Sequence, residues 1–120
     1  MAKDEGNADS TFAREERIRR RVDFEQVYSR GVRIHGRFST IFVLSNNRGV
    51  GRLGIAATKR LGGAVQRNRA KRLIREIFRR NKIAPGFDVV VVPRRALLQS
   101  SLTALEADYC ASLMRRLRKS

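Results

Sequence analysis

Residues 87–93 read FDVVVVP, and this short segment, Phe87–Pro93, decides how the rest of the chain can be arranged. Four consecutive valines leave no polar face, and an unbroken apolar run of this length is typical of a strand buried on both faces. Pro93 has no backbone N–H to give to a sheet, so it ends the strand. The turn-forming pair Pro85-Gly86 precedes the run. We therefore predict a strand buried on both faces.

The segment before this turn, residues 67–80 (RNRAKRLIREIFRR), threads apolar residues through dense positive charge. The apolar residues have the spacing of a helix packed on a core: Ala70, Leu73, Ile74, Ile77 and Phe78. Cations recur at every fourth position along its flank: Arg67, Lys71, Arg75 and Arg79. A solvated helix normally mixes acids with bases, but this one has a single acid, Glu76. The pattern predicts a core helix with a basic ridge.

Three further elements are predicted nearer the N-terminus. Residues 21–31 (RVDFEQVYSRG) indicate a short helix, for which Gly31 suits a left-handed C-terminal cap. Residues 37–47 (RFSTIFVLSNN) and 51–60 (GRLGIAATKR) indicate two strands. The connection between these strands is short, which predicts an antiparallel hairpin.

The C-terminal region predicts one more helix, because leucines and a tyrosine recur at helical spacing between Leu102 and Leu117. Thr103 and Glu106 fit a capping box at its start. Residues 1–12 are polar and predict a flexible N-terminal tail. Residues 13–120 are then expected to form a single domain.

Charge is the strongest indicator of a partner. The 120 residues are 42% hydrophobic yet carry a net charge of +16, with a pI of about 11.7. No Asp or Glu occurs from Gln26 through Arg75. A folded domain this basic favours nucleic acid as its partner over an anionic membrane surface.

The cysteine and histidine content limits which metal sites and thiol reactions the chain could have. The chain has one cysteine, Cys110, and one histidine, His35, which argues against a Cys/His zinc site. Cys110 is expected to be a buried, inert thiol. A single cysteine, no signal peptide and no apolar run of membrane-spanning length favour a cytoplasmic protein with no membrane partner.

Aromatic residues suggest a second surface beside the basic helix. Three aromatic residues could line a shallow groove: Phe24, Tyr28 and Phe42. Its floor would be one face of the second strand, where the small residues Gly54, Ala56 and Thr58 point the same way. Aromatic rings beside arginines suit single-stranded nucleic acid. The alternative is that these rings belong to the core.

Residues 54–78 (GIAATKRLGGAVQRNRAKRLIREIF) resemble the signature of the protein subunit of bacterial ribonuclease P. Residues 23–31 (DFEQVYSRG) and 86–94 (GFDVVVVPR) resemble two further segments of that family. The resemblance covers roughly residues 17–118. It implies a single α/β domain, an α+β sandwich with the element order αβββαβα. Its mixed four-stranded sheet would include a short first strand near residues 32–34. A basic crossover helix would connect two parallel strands of that sheet.

The resemblance also implies a function, the 5′ maturation of precursor tRNA. In that family an RNA subunit with Mg²⁺ is the catalyst, so no catalytic residue and no metal ligand is expected in this chain. The residues implied to bind RNA are Lys59, Arg60, Arg67, Asn68, Arg69, Lys71, Arg72 and Arg75. The cleft for the 5′ leader of the substrate would include Phe24, Tyr28 and Phe42.

Three other classes of protein share some of these features. A structural RNA-binding protein of the ribosomal type shares the charge and size, but does not predict an aromatic groove apart from the basic helix. A helix-turn-helix DNA binder would need a partner helix at short spacing. A stand-alone nuclease would need clustered carboxylates for its metals, and the centre of the chain has none.

Overall fold

The computed structural model describes residues 14–82 and 84–119, which form one α/β domain. Its three α-helices are α1 (Arg21–Arg30), α2 (Ala64–Arg80) and α3 (Leu102–Lys119). Its four strands are β1 (Val32–His35), β2 (Ser39–Ser45), β3 (Arg52–Ile55) and β4 (Phe87–Pro93). Short 3₁₀ segments lie at Arg14–Glu16 and Arg95–Gln99. The order αβββαβα is confirmed, while the tail predicted for residues 1–12 lies outside the described residues.

The four strands form one mixed sheet in the order β1-β2-β4-β3. Strand β4 lies between its two neighbours, antiparallel to β2 and parallel to β3. The predicted β2–β3 hairpin is therefore wrong, because β4 pairs with both strands and separates them. A parallel β3–β4 pair needs a long crossover connection, and helix α2 supplies it.

Strand β4 is buried on both faces, as its valines predicted. Val89 and Val91 join the larger core, where Ile74 and Phe78 of α2 pack together with Tyr109 of α3. Val90 points to the other face and forms a smaller core with Ile18 and with Val27 of α1. Helices α2 and α3 therefore cover one face of the sheet, and α1 covers part of the other.

Two helix ends differ from their predictions. Gly31 follows α1 in an extended conformation (φ −81°, ψ 169°), not a left-handed one. Glycine is needed there for close approach, because a Cβ atom would lie 2.5 Å from the Val27 carbonyl oxygen. Helix α3 is capped by Ser101, whose Oγ accepts the Ala104 N–H at 3.1 Å. Thr103 lies inside that helix, so it cannot be the cap residue.

A buried ion pair joins strand β3 to strand β4 beneath helix α1. Asp88 accepts two hydrogen bonds from Arg52, at 2.8 and 2.6 Å, and a third from the Asn46 amide at 2.8 Å. The Arg52 guanidinium also lies 3.8 Å from the Asp23 carboxylate of α1. The hydrogen bond to Asp88 raises the pKa of Arg52 above its ordinary value. This network ties α1 to the sheet.

We expect Asp88→Ala to lower the free energy of unfolding by about 3 kcal/mol, because it leaves the Arg52 cation, only 11% exposed, without its main partner. Thermal unfolding should show a Tm lower by about 10 °C. Glu25→Ala is the matched control, because it breaks an ion pair with Arg21 whose two side chains are both exposed. Equal losses in the two variants would contradict a stabilising role for the buried network.

Candidate nucleic-acid interface

The loop between β3 and α2 is held in a fixed shape by backbone contacts. The Leu61 N–H donates to the Thr58 carbonyl at 3.0 Å, and the buried Leu61 side chain anchors the loop in the core. Gly62 has φ +147°, a backbone conformation that residues other than glycine rarely adopt. Lys59 and Arg60 are exposed on this loop, and three residues separate Arg60 from the start of α2.

Helix α2 places the predicted RNA-binding residues on more than one side. Its core face is confirmed, with Ala70, Ile74, Ile77 and Phe78 buried. Four predicted RNA-binding residues of the helix are exposed: Asn68, Arg69, Arg72 and Arg75. At about 100° per residue, Arg69 lies roughly 200° around the helix from Arg67. The positive surface is therefore a broad band, wider than the single ridge predicted from the sequence.

Two members of the predicted ridge have partners within the protein. Arg67 is half-buried and donates to the Gly62 carbonyl oxygen at 2.9 Å, so it helps to hold the loop before α2. Arg79 bonds to Glu76 at 3.2 Å, and this hydrogen bond lowers the pKa of Glu76. The one acid of the helix is thereby neutralised by a neighbouring cation.

A groove of about 390 Å³ separates α2 from the segment that precedes α1. Lys71 and Arg75 form its α2 side, and Phe24 of α1 also lines it. Arg17 and Arg19 line it as well, and neither is among the predicted RNA-binding residues. The dense run of arginines in residues 17–21 was the signal that could have found them.

The three predicted cleft aromatics are brought together between α1 and the sheet. The Tyr28 ring meets the Phe42 ring edge to face, with centroids 5.0 Å apart, and lies 6.4 Å from the Phe24 ring. Tyr28 is 40% exposed, whereas Phe24 and Phe42 are half-buried. Partial burial raises the pKa of Tyr28, so its hydroxyl stays protonated and able to donate.

Phe24 also has a packing role. A Cβ atom on Gly54 would lie 2.7 Å from the Phe24 ring, so the ring fits over the bare backbone of β3. The space expected over Gly54 is therefore filled. The open part of this sheet face lies toward Thr40, Phe42 and Val92, which share it and are half-buried.

The described residues contain neither a cluster of metal ligands nor a membrane-spanning helix. Within residues 14–82 and 84–119, no three His, Cys, Asp or Glu side chains are grouped so that they could hold a metal ion. No helix among these residues is both long and apolar enough to cross a membrane. Cys110 is half-buried, and burial raises the pKa of its thiol, which disfavours the reactive thiolate.

Comparison with known proteins gives a consistent result. The family model described as "Ribonuclease P" matches residues 12–118. The chain belongs to the ribonuclease P protein family. It is 42% identical over 89 residues to the ribonuclease P protein component of Thermotoga maritima, covering 72% of this chain and 76% of that relative. It is 43% identical over 105 residues to the one from Syntrophus aciditrophicus, covering 86% and 85%.

Solved structures agree with the family assignment. The ribonuclease P protein from Thermotoga maritima superimposes with a TM-score of 0.76 at 35% identity, covering 83% of this chain and 96% of that one. The Staphylococcus aureus protein gives a TM-score of 0.75 at 29% identity, covering 84% and 94%. The predicted fold is thus confirmed. The chain is a subunit of the ribonuclease P holoenzyme, an endoribonuclease of tRNA processing.

We expect Arg75→Ala to weaken binding of this subunit to the ribonuclease P RNA, because Arg75 is exposed and lies on the groove side of α2. Loss of one phosphate contact should reduce the slope of log affinity against log salt by about 1. Binding titrations at several salt concentrations measure both quantities. Arg48→Ala, an exposed arginine in the β2–β3 loop, is the control. An unchanged slope for Arg75→Ala would mean that this side of α2 is only solvated.

Proposed function

We propose that this subunit binds the ribonuclease P RNA through α2 and the loop before it, and holds the 5′ leader of precursor tRNA in the aromatic cleft. In this way it assists the endonucleolytic removal of the leader. The observation that carries the proposal is the groove in which the two surfaces meet, where Phe24 of the cleft lies opposite Lys71 and Arg75 of α2. With the ribonuclease P RNA bound to α2 and the leader bound in the aromatic cleft, the subunit would hold the substrate against the catalyst.

Helix α2 is suited to the phosphates of a structured RNA. Its cations are mainly arginines, whose planar groups can hold a phosphate with two hydrogen bonds. Its single acid, Glu76, is paired with Arg79. We propose that its exposed residues and the loop residues Lys59 and Arg60 make these contacts. Arg67 would add mainly by shaping the loop at Gly62, to whose carbonyl it donates.

The cleft is suited to a single strand. Tyr28 keeps part of its ring exposed, and the half-buried Phe42 lies directly beside it. Bases of any sequence can stack on such rings. The cleft floor offers the uncharged side chains of Thr40 and Val92, and the Arg94 guanidinium donates to the Thr40 hydroxyl at 3.0 Å. A ribosomal-type structural role, which the sequence left open, would not require this arrangement.

Three carboxylates in the described part of the chain are poorly suited to hold Mg²⁺, which prefers several oxygen ligands. Asp88 is bonded to Arg52, and Glu76 to Arg79. Glu106 accepts from Asn81 at 2.6 Å and lies 3.5 Å from Arg80. We therefore propose that Mg²⁺ is held mainly by the RNA subunit, and that this chain contributes no catalytic group. A cytoplasmic location stays a prediction from the sequence.

We expect Tyr28→Ala to reduce the preference of the holoenzyme for precursor over mature tRNA, because only the precursor has a leader to stack. Base–aromatic stacking is worth about 1–3 kcal/mol, so the preference should fall by about fivefold or more. Tyr28→Phe should retain most of it, and Val22→Ala, an exposed residue of the same helix, is the control. Equal losses for precursor and mature tRNA would refute the leader assignment.

We also expect the RNA-free protein to cleave no precursor tRNA at any Mg²⁺ concentration. Phosphodiester hydrolysis needs stabilised charge on the leaving oxygen, and the described residues contain no group of three possible metal ligands to supply it. Addition of the RNA subunit should restore cleavage in a gel assay. Cleavage by RNA-free protein that is lost in a carboxylate variant such as Asp108→Ala would overturn the proposal.

A further inference from the structure

The open face of the sheet continues beyond the aromatic rings onto strand β1. In the antiparallel β1–β2 pair, Arg33 lies opposite Phe42 and His35 lies opposite Thr40. Opposite residues of such a pair point to the same face. Arg33 and His35 therefore stand on the face that carries the cleft, and both are exposed. Strand β1 is the edge of the sheet, so these two residues form an outer lip of the cleft, here called the β1 lip.

An arginine that follows strand β4 reaches the same place. The Arg94 guanidinium donates to the Thr40 hydroxyl at 3.0 Å and also to the Gly36 carbonyl oxygen. Thr40 lies between His35 on one neighbouring strand and Val92 on the other. Because a guanidinium has five N–H donors, these two contacts fix Arg94 beside the lip and leave it further donors for an anion.

The surroundings of the β1 lip are positive. Arg37 follows β1 in the turn to β2, with its guanidinium 5.3 Å from the Phe38 ring centre. The carboxylate that meets this turn is Asp108 of α3, and it accepts the Arg37 backbone N–H at 3.1 Å. Neither β1 nor β2 contains an acid, because none occurs from Gln26 through Arg75. An anion at the lip would therefore meet little repulsion.

We propose that the β1 lip, together with Arg94, binds phosphates of leader nucleotides that lie farther from the cleavage site than those stacked on Tyr28 and Phe42. The inference rests on the proposed function. Helix α2, which would face the catalytic RNA, lies beside β3 at one edge of the sheet, and β1 is the other edge. Three strand spacings of about 4.8 Å separate the edges by about 14 Å. A leader that starts at the catalytic RNA beside β3 and crosses the cleft would therefore reach the β1 lip at the opposite edge of the sheet.

The experiment compares holoenzymes on precursor tRNAs whose leaders are shortened from the 5′ end by one nucleotide at a time. The double variant Arg33→Gln/His35→Gln should bind a long leader several-fold more weakly than the unmodified holoenzyme. Its salt slope should fall by about 0.7 for each single-strand phosphate contact that is lost. The defect should disappear below a threshold leader length. The defect of Tyr28→Ala should persist to shorter leaders, because its site is nearer the cleavage point.

A control variant, Arg48→Gln, removes an exposed arginine of the β2–β3 loop, and its binding should not depend on a threshold leader length. A lip defect of equal size at every leader length, and on mature tRNA, would mean that the lip contacts the RNA subunit, and would overturn the inference. No defect at any length would also overturn it. If Tyr28→Ala still lowers the precursor preference in either case, the proposed function survives; if it does not, the proposed function fails as well.

Discussion

The burial of the valines of β4 on both faces is the constraint on which the rest of this structure depends. A strand without a polar side cannot lie at an exposed position, and here it is covered by Val27 of α1 on one face and by α2 and α3 on the other. It therefore takes a place between β2 and β3, which moves β3 to the edge of the sheet. The parallel β3–β4 pair in turn requires a crossover, and that crossover is the basic helix.

The unequal cover of the two sheet faces creates the cleft. Helices of 17 and 18 residues pack on one face, whereas α1, with 10 residues, packs on the other. A helix that short spans only about 15 Å, so it shields Val90 and leaves Phe42 and Val92 half-buried. The Asp88–Arg52 pair, with Asp23 nearby, holds α1 in this position. The packing of the short helix α1 on this face thus both buries Val90 in the core and leaves the aromatic surface exposed.

The three helices and strands β2, β3 and β4 could be predicted from the sequence, because each has a local pattern that its own residues carry. The short strand β1 followed only from the family resemblance. Strand pairing could not be predicted, because the choice of β4 over β3 as the neighbour of β2 depends on long-range burial. The same limit applies to single side chains. Nothing local shows that Arg67 donates to the Gly62 carbonyl, or that Phe24 fills the space above Gly54. The positions of Arg33 and His35 beside the cleft follow only from the strand register.

The distribution of acids explains how a chain with a net charge of +16 can fold and still present a positive surface. Several acids are paired at points where elements meet: Asp88 with Arg52 between strands, and Glu106 with Asn81 where α2 ends. Acids used in this way stabilise the fold; on α2, Glu106 reaches Arg80 at the C-terminal end. Three arginines of that helix stay exposed: Arg69, Arg72 and Arg75. The remaining cations repel one another, and that repulsion opposes folding until an anion approaches. A polyanion that binds only the folded state would therefore stabilise it, so RNA binding and folding of this subunit should reinforce each other.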